Sequence, residues 1–253
     1  MIVDNGPATV HKYGFLNTSI PVVISHASYM SFDDVQLLRS TNQYISITPE
    51  SEMHYGHGHL VSHLIQDQAS LGIDSHFTYS ADIVTQARMW LQSVRLLFAK
   101  QKLDNWQINA NNPMSVAQAF YLATRAGALA LRRNDIGIIA EGAKADLVVF
   151  DGDSPNMLGW ADAVAAVMLH SNVGDVQHVL VNGEFKKRDG KLVMGEGQEG
   201  WDVIKSKFLQ SARRIQAIWA EMPHPVFEGA FQSGALISTA ETADTLRGDG
   251  TGY

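Results

Sequence analysis

The sequence predicts an α/β fold: β-α units on a parallel sheet, then a small β-rich module, then one long helix. Three observations predict it. Short apolar runs at 21–26, 44–48 and 69–73 alternate with polar loops and segments of helical spacing, the alternation that favours parallel strands. From 145 to 194 the apolar runs become short and closely spaced, with Asn182-Gly183 between two of them, a strong hairpin signal. Residues 201–221 then return to a helical period.

In chain order, Lys12 to Leu16 can close a first helix, with Gly14 as its cap. Residues 21–26 read as a buried strand ending on His26. Ser31 and Asp34 make an N-cap pattern, and Phe32, Val35 and Leu38 follow at helical spacing. Residues 44–48 form the next strand and end at Pro49. A loop rich in Glu and His follows, with a helical segment through Leu64. Residues 69–73 form a third strand, ending on Asp74. Ser80 and Asp82 can cap a long helix to about Lys100, with Ile83, Ala87, Trp90, Leu91, Val94 and Leu97 on one face. Residues 115–131 read as one more helix. In the β-rich part, runs at 145–150, 164–169, 176–181, 183–187 and 190–194 read as short strands. Trp201 and Trp219 are placed to anchor the last helix. Beyond Pro223 the chain turns to Gly, Ser, Thr and Asp, which bury little, so a poorly ordered tail is expected. The divisions expected are 1–132, 133–200, 201–228 and 229–253.

Composition narrows the function. The net charge is −7, which argues against a nucleic-acid partner. No cysteine is present, so disulfides and thiolate metal sites are excluded and any metal needs His and carboxylate ligands. The first residues lack a basic stretch followed by an apolar one, and no apolar run approaches the roughly 20 residues that cross a bilayer. A cytoplasmic protein that does not engage membranes is expected.

The stretch 44–74 gathers the polar groups that could do chemistry. In parallel α/β folds the C-terminal ends of the strands carry the site, and His26 and Asp74 both stand at such ends. Glu50 and Glu52 could serve as acid and base. Their alternation around Ser51 lets one face inward, and Glu52 is preferred, at the pocket rim. His54, His57, His59 and His63 resemble a metal cluster, His59 and His63 being four apart, but a solvated, glycine-hinged loop over the pocket explains them better, with His54 and His57 at the pocket rim. His76, just past Asp74, belongs to the rim or to plain surface. Lys186, Lys187 and Arg188 read as solvated charge.

Four segments also carry a family resemblance: VVISHASYMSFDDVQLL, YISITPESEM with the following GHGH, SLGIDSHFTYSADIVTQARMWLQSVR, and DIGIIAEGAKADLVVFD. In this order and spacing they resemble the C-terminal part of the amidohydrolase superfamily, in its chlorohydrolase, cytosine deaminase and nucleoside deaminase branch. The resemblance covers roughly 14–195. It implies the last strands of a (β/α)₈ barrel, a partial TIM-type barrel, joined to a small β-sandwich module. His26 would end the sixth strand and Asp74 the eighth. It also implies hydrolysis of a C–N or C–Cl bond in a small molecule, with a divalent metal, zinc or iron. Asp74 would then be metal ligand and proton shuttle, and His26 a second ligand or a stabiliser of the transition state.

The His-x-His pair of the family's first strand and the histidine of its fifth would lie before residue 20. The pair His57-Gly58-His59 follows Glu52 in a loop and does not take that role. The metal site is therefore expected to be incomplete, with Asp74 and His26 its only matched positions. A homo-oligomer, or a second chain supplying the missing N-terminal half, could complete it. A non-catalytic remnant, or a metal-free pocket used in biosynthesis, are the other readings.

Overall fold

A computed structural model describes residues 6–58, 61–195, 197–231, 235–243 and 245. The chain divides into two compact units, one running to Trp201 and one from Asp202 onward.

The first unit opens with α1 (Pro7–Lys12), which has proline in its first turn and is followed by Gly14 at φ 81. Then come β1 (Val23–Ser25), α2 (Phe32–Thr41), β2 (Tyr44–Ile47), α3 (Pro49–His54) and β3 (Ala69–Leu71). The three strands form one parallel sheet in the order β1-β2-β3, with Ser25 opposite Ser46 and Ser46 opposite Ser70. Ser31 and Asp34 cap α2 reciprocally. Ile45 and Ile47 of the central strand are wholly buried, together with Leu38 and Ala69. Gly72 carries the chain away from β3 beside β2. A Cβ there would lie 2.9 Å from Thr48 Cγ2 and 3.1 Å from Ser46 Oγ, so the close approach of the two strand ends requires glycine.

Two expectations fail between β2 and β3. The loop after Pro49 is helical, because Pro49 at the first position and the acids of the first turn are helix-starting signals. The helical segment through Leu64 is reduced, among the described residues, to two 3₁₀ turns at Ser62–Leu64 and Gln66–Gln68.

The long helix, α4 (Ile83–Leu103), is capped by Asp82, whose carboxylate accepts from the Val84 and Thr85 amides. Its inner face buries Val84, Ala87, Trp90, Leu91 and Val94. The expected helix over 115–131 is two helices, α5 (Val116–Ala123) and α6 (Arg125–Ala130). Thr124 breaks them at φ −126, ψ −91, where its hydroxyl donates to the Phe120 carbonyl at 2.8 Å.

The β-rich part is a four-stranded antiparallel sheet of β4 (Leu147–Phe150), β5 (Val176–Val181), β6 (Glu184–Arg188) and β7 (Lys191–Leu192). Asn182 and Gly183 turn β5 into β6 at φ 51 and 83, the double left-handed geometry of a tight hairpin. The expected strand at 164–169 is helical instead: α7 (Ala163–Ala165) runs into a π-helical turn, Ala166–His170. Asp162 caps it through the Ala165 amide.

The helix α8 spans Trp201–Glu221, as the spacing predicts, and belongs to the second unit from Asp202 onward. Trp201 and Trp219 do not anchor it by burial, since they are 50% and 62% exposed. Farther on, where composition suggests little order, the described residues pair β8 (Ala230–Phe231) with β9 (Ala235–Leu236). No helix among the described residues is long and apolar enough to cross a membrane.

Candidate active site

At the C-terminal edge of the parallel sheet the backbone leaves the strands in an uncommon conformation. His26, Ala27 and Asp74 have φ of 63, 54 and 55. The left-handed region costs a non-glycine residue roughly 1–2 kcal/mol, and such strain persists where neighbours fix it. Here the neighbours are hydrogen bonds. The His26 amide donates to the Ser46 carbonyl at 2.8 Å, and the Gly72 amide to the Ile47 carbonyl at 2.8 Å.

The segment joining β2 to α3 holds both candidate residues. His26 Nδ1 lies 2.6 Å from Thr48 Oγ1 and 3.2 Å from Glu52 Oε1. Glu52 Oε1 accepts from the Thr48 amide at 2.9 Å and from its hydroxyl at 3.1 Å. Thr48 Oγ1, Glu52 Oε1 and His26 Nδ1 thus meet at one point, which fixes the Nδ1 edge of the ring and leaves Nε2 outside this network. Three residues along the same segment, Ser51 donates to Asp74 Oδ2 at 2.5 Å.

The two glutamates differ from expectation. Glu52 is not on a rim: it is wholly buried, on the first turns of α3, where the helix N-terminus favours a carboxylate. Glu50 is engaged elsewhere, its Oε2 accepting from the Ser80 amide and Gln86 Nε2, both at 2.8 Å. It ties the loop before α4 to α3.

Among the rim candidates, His54 is exposed, with its ring 4.9 Å from Tyr55 and 5.6 Å from Tyr79. His57 is half-buried, 5.3 Å from the Tyr29 ring. His76 is exposed and its ring meets its neighbour Phe77, 6.1 Å away. His63 lies edge-on against Phe98 of α4. His59 falls outside the described residues.

Sequence reasoning missed Thr48, Ser51 and Tyr79. A threonine before proline and two acids is a helix-start signal that places the first two at the start of a helix, without giving their partners. The Tyr79 phenol is buried, and its pKa is raised, first by burial and then by Tyr55, with Ser51 acting the other way.

Catalytic zinc is held by three protein ligands and a water. Among the described residues no three His, Asp or Glu side chains form such a group. Asp74 and His26 Nε2 have the right donor chemistry, but they do not make a full site by themselves.

A family model of amidohydrolases matches residues 3–186. The chain belongs to the amidohydrolase family. This amidohydrolase is 27% identical over 190 residues to a 5-methylthioadenosine/S-adenosylhomocysteine deaminase of Pelotomaculum thermopropionicum, covering 71% of this chain and 42% of the relative. Among solved structures it resembles a zinc-bound adenosine deaminase of Xanthomonas campestris, with TM-score 0.68 and 20% identity, over 83% of this chain and 45% of that one. It also resembles the zinc complex of atrazine chlorohydrolase of Arthrobacter aurescens, with TM-score 0.65 and 16% identity, over 80% of this chain and 43% of that one. The two structural likenesses concern fold. The chain spans less than half the length of these proteins.

Proposed function

We propose that this amidohydrolase contributes to the hydrolysis of a C–N bond, or a C–Cl bond, in a small heterocyclic molecule. The observation that carries the reading is the shared support of His26 and Asp74. His26 directly follows β1 and Asp74 lies three residues past β3, the two outer strands of one parallel sheet, and a single segment, Thr48 to Glu52, bonds to both. The relatives named as nucleoside deaminases and a chlorohydrolase support the same class of reaction.

In this reading the Asp74 carboxylate takes a proton from the attacking water and returns it to the departing nitrogen. Ser51 keeps one oxygen of Asp74 occupied, so the other does the work. His26, with Nδ1 turned to Thr48 and Glu52, would use Nε2 as a second metal ligand or, with a proton there, donate Nε2–H to the oxygen that develops charge at the reacting carbon. Glu52 orients the ring and does not itself exchange protons with substrate.

A divalent ion, zinc or iron, would be held by Asp74 and His26 only together with ligands beyond the described residues of this chain. The parallel sheet would be the last strands of a (β/α) barrel and the antiparallel sheet part of a β-sandwich module, the division falling near residue 132. Further strands, in this or another polypeptide, would complete both the barrel and the donor set. We place the reaction in the cytoplasm.

The test is to supply the full native protein with zinc or iron(II) and a panel of adenosine, 5-methylthioadenosine, cytosine and a chlorotriazine. Catalytic release of ammonia, or of chloride, is expected from one class of compound. Absence of both from every compound would remove the reading.

A further inference from the structure

The loop that leaves β3 is anchored to α3 at both of its ends. At one end Ser51 donates to Asp74 Oδ2 at 2.5 Å. At the other the Ser80 amide donates to Glu50 Oε2 at 2.8 Å. The two anchors are neighbours on one helix. Between them the chain closes on itself, the Thr78 and Tyr79 amides donating to the Ser75 carbonyl at 3.1 and 2.9 Å. Tyr79 is buried, its ring 5.6 Å from that of His54 on the same helix.

Glu50 is itself held. Its Oε2 also accepts from Gln86 Nε2 at 2.8 Å, and its own amide donates to Gln86 Oε1 at 3.1 Å. Gln86 is wholly buried on α4, so this pair of bonds fastens Glu50 to the core helix. The half-buried carboxylate thereby gains the partners that burial demands. Asp74, at the far end of the loop, stands at φ 55, a conformation that persists only where the surroundings over-determine it. Release of Ser80 removes one of those constraints.

Resting on the reading of Asp74 given above, we propose that Glu50 is a positioning residue. It acts through Ser80 and the closed turn to hold the Asp74 carboxylate at the reacting atoms, and it takes no proton from substrate. An acid–base role, which the sequence allows, does not fit a carboxylate oxygen that serves a loop amide and a core side chain.

The test uses the full native protein and the aminated heterocycle it hydrolyses best. Glu50→Ala should lower kcat by about 10–10²-fold, the cost of a misplaced group, and move KM by less than about threefold. Glu50→Gln keeps an acceptor oxygen for Ser80 and Gln86, so it should retain kcat within about fivefold. Glu50→Asp keeps the charge but shortens the arm, and should fall like Glu50→Ala. It serves if the alanine variant does not fold. Added to Asp74→Asn, Glu50→Ala should cost less than about threefold more, whereas a general loss of structure costs the same in both backgrounds. Hydrogen exchange gives a readout that works without substrate. Amides 75–80 should exchange at least about tenfold faster in Glu50→Ala, the loss of a bond to a charged acceptor, while those of β3 should not. Unchanged exchange over 75–80, a Glu50→Gln variant as inactive as Glu50→Ala, or the full loss repeated on Asp74→Asn would overturn the proposal. Faster exchange in a protein that hydrolyses none of the compounds would keep the latch and remove the hydrolytic reading alone.

Discussion

The parallel and antiparallel sheets use the same kinds of polar residue for different ends. At the hairpin between β5 and β6, Asp146 accepts from the Asn182 amide at 2.7 Å and Lys144 reaches Asn182 Oδ1 at 3.2 Å. Glu184 and Lys186 pair on the exposed surface. These bonds close a turn, and its left-handed residues are Asn and Gly, which adopt that geometry at little cost. At the parallel edge the left-handed residues are His26, Ala27 and Asp74. Left-handed backbone does not by itself mark that edge, since Trp106, Arg132 and, in the turn after β6, Asp189 share it. What sets the edge apart is that side chains from two strand ends, His26 and Asp74, converge on one segment, Thr48 to Glu52.

Substitutions can break or sharpen that contrast. The largest effect should come from Asp74→Asn, which lowers kcat/KM by about 10²–10⁴-fold, the contribution of a positioned acid–base. Its thermal stability should barely move, since Asp74 is exposed. Glu52→Ala should instead cost about 2–4 kcal/mol, because it strands the buried Thr48 amide and loosens His26. Calorimetry should show the melting temperature falling by roughly 4–15 °C. Gly72→Ala should cost about 1–3 kcal/mol through overpacking against Thr48 and Ser46, again read by thermal melting. On the antiparallel side, Gly183→Ala should cost about 1–2 kcal/mol from its positive φ and leave kcat/KM unchanged. A loss of activity there would erase the contrast.

The smallest effect concerns a surface pair. Arg39 holds Asp67 through two bonds of 2.6 and 2.7 Å. The Arg39 hydrogen bond holds the Asp67 carboxyl below its ordinary pKa; burial opposes this and the Arg39 charge adds to it. A depressed folded-state pKa gives stability that is present above the unfolded value of about 3.9 and is lost as pH falls through the folded one. Both side chains are well exposed, so Asp67→Asn should cost at most about 1 kcal/mol at neutral pH. The difference from wild type should vanish in acid, as denaturant titrations at two pH values would show.

What could be read from the sequence follows from how local each signal is. His26 and Asp74 were legible because each ends an apolar run. The caps at Ser31 and Asp82, and the Asn182-Gly183 turn, were legible because cap and turn chemistry lies within a few residues. The density of Glu and His after Pro49 hid α3, although proline and acids in a first turn start helices. The short run at 164–169 fits a strand or a buried helix equally by period, and its cap at Asp162 decides it. The roles of Thr48 and Ser51 were not legible. They depend on the register that sets β2 between β1 and β3, over separations of 22 and 23 residues. Tyr79 is non-local in the same way, since it meets His54 of α3 from the loop after β3.

The most direct measurement is a double-mutant cycle on kcat/KM in the full native protein, combining His26→Ala with Asp74→Asn on the best aminated heterocycle. If the two residues work as one unit, the double variant should fall no more than about tenfold below the weaker single variant. Losses that multiply in full, or full activity in either single variant, would show that the parallel edge is not one site.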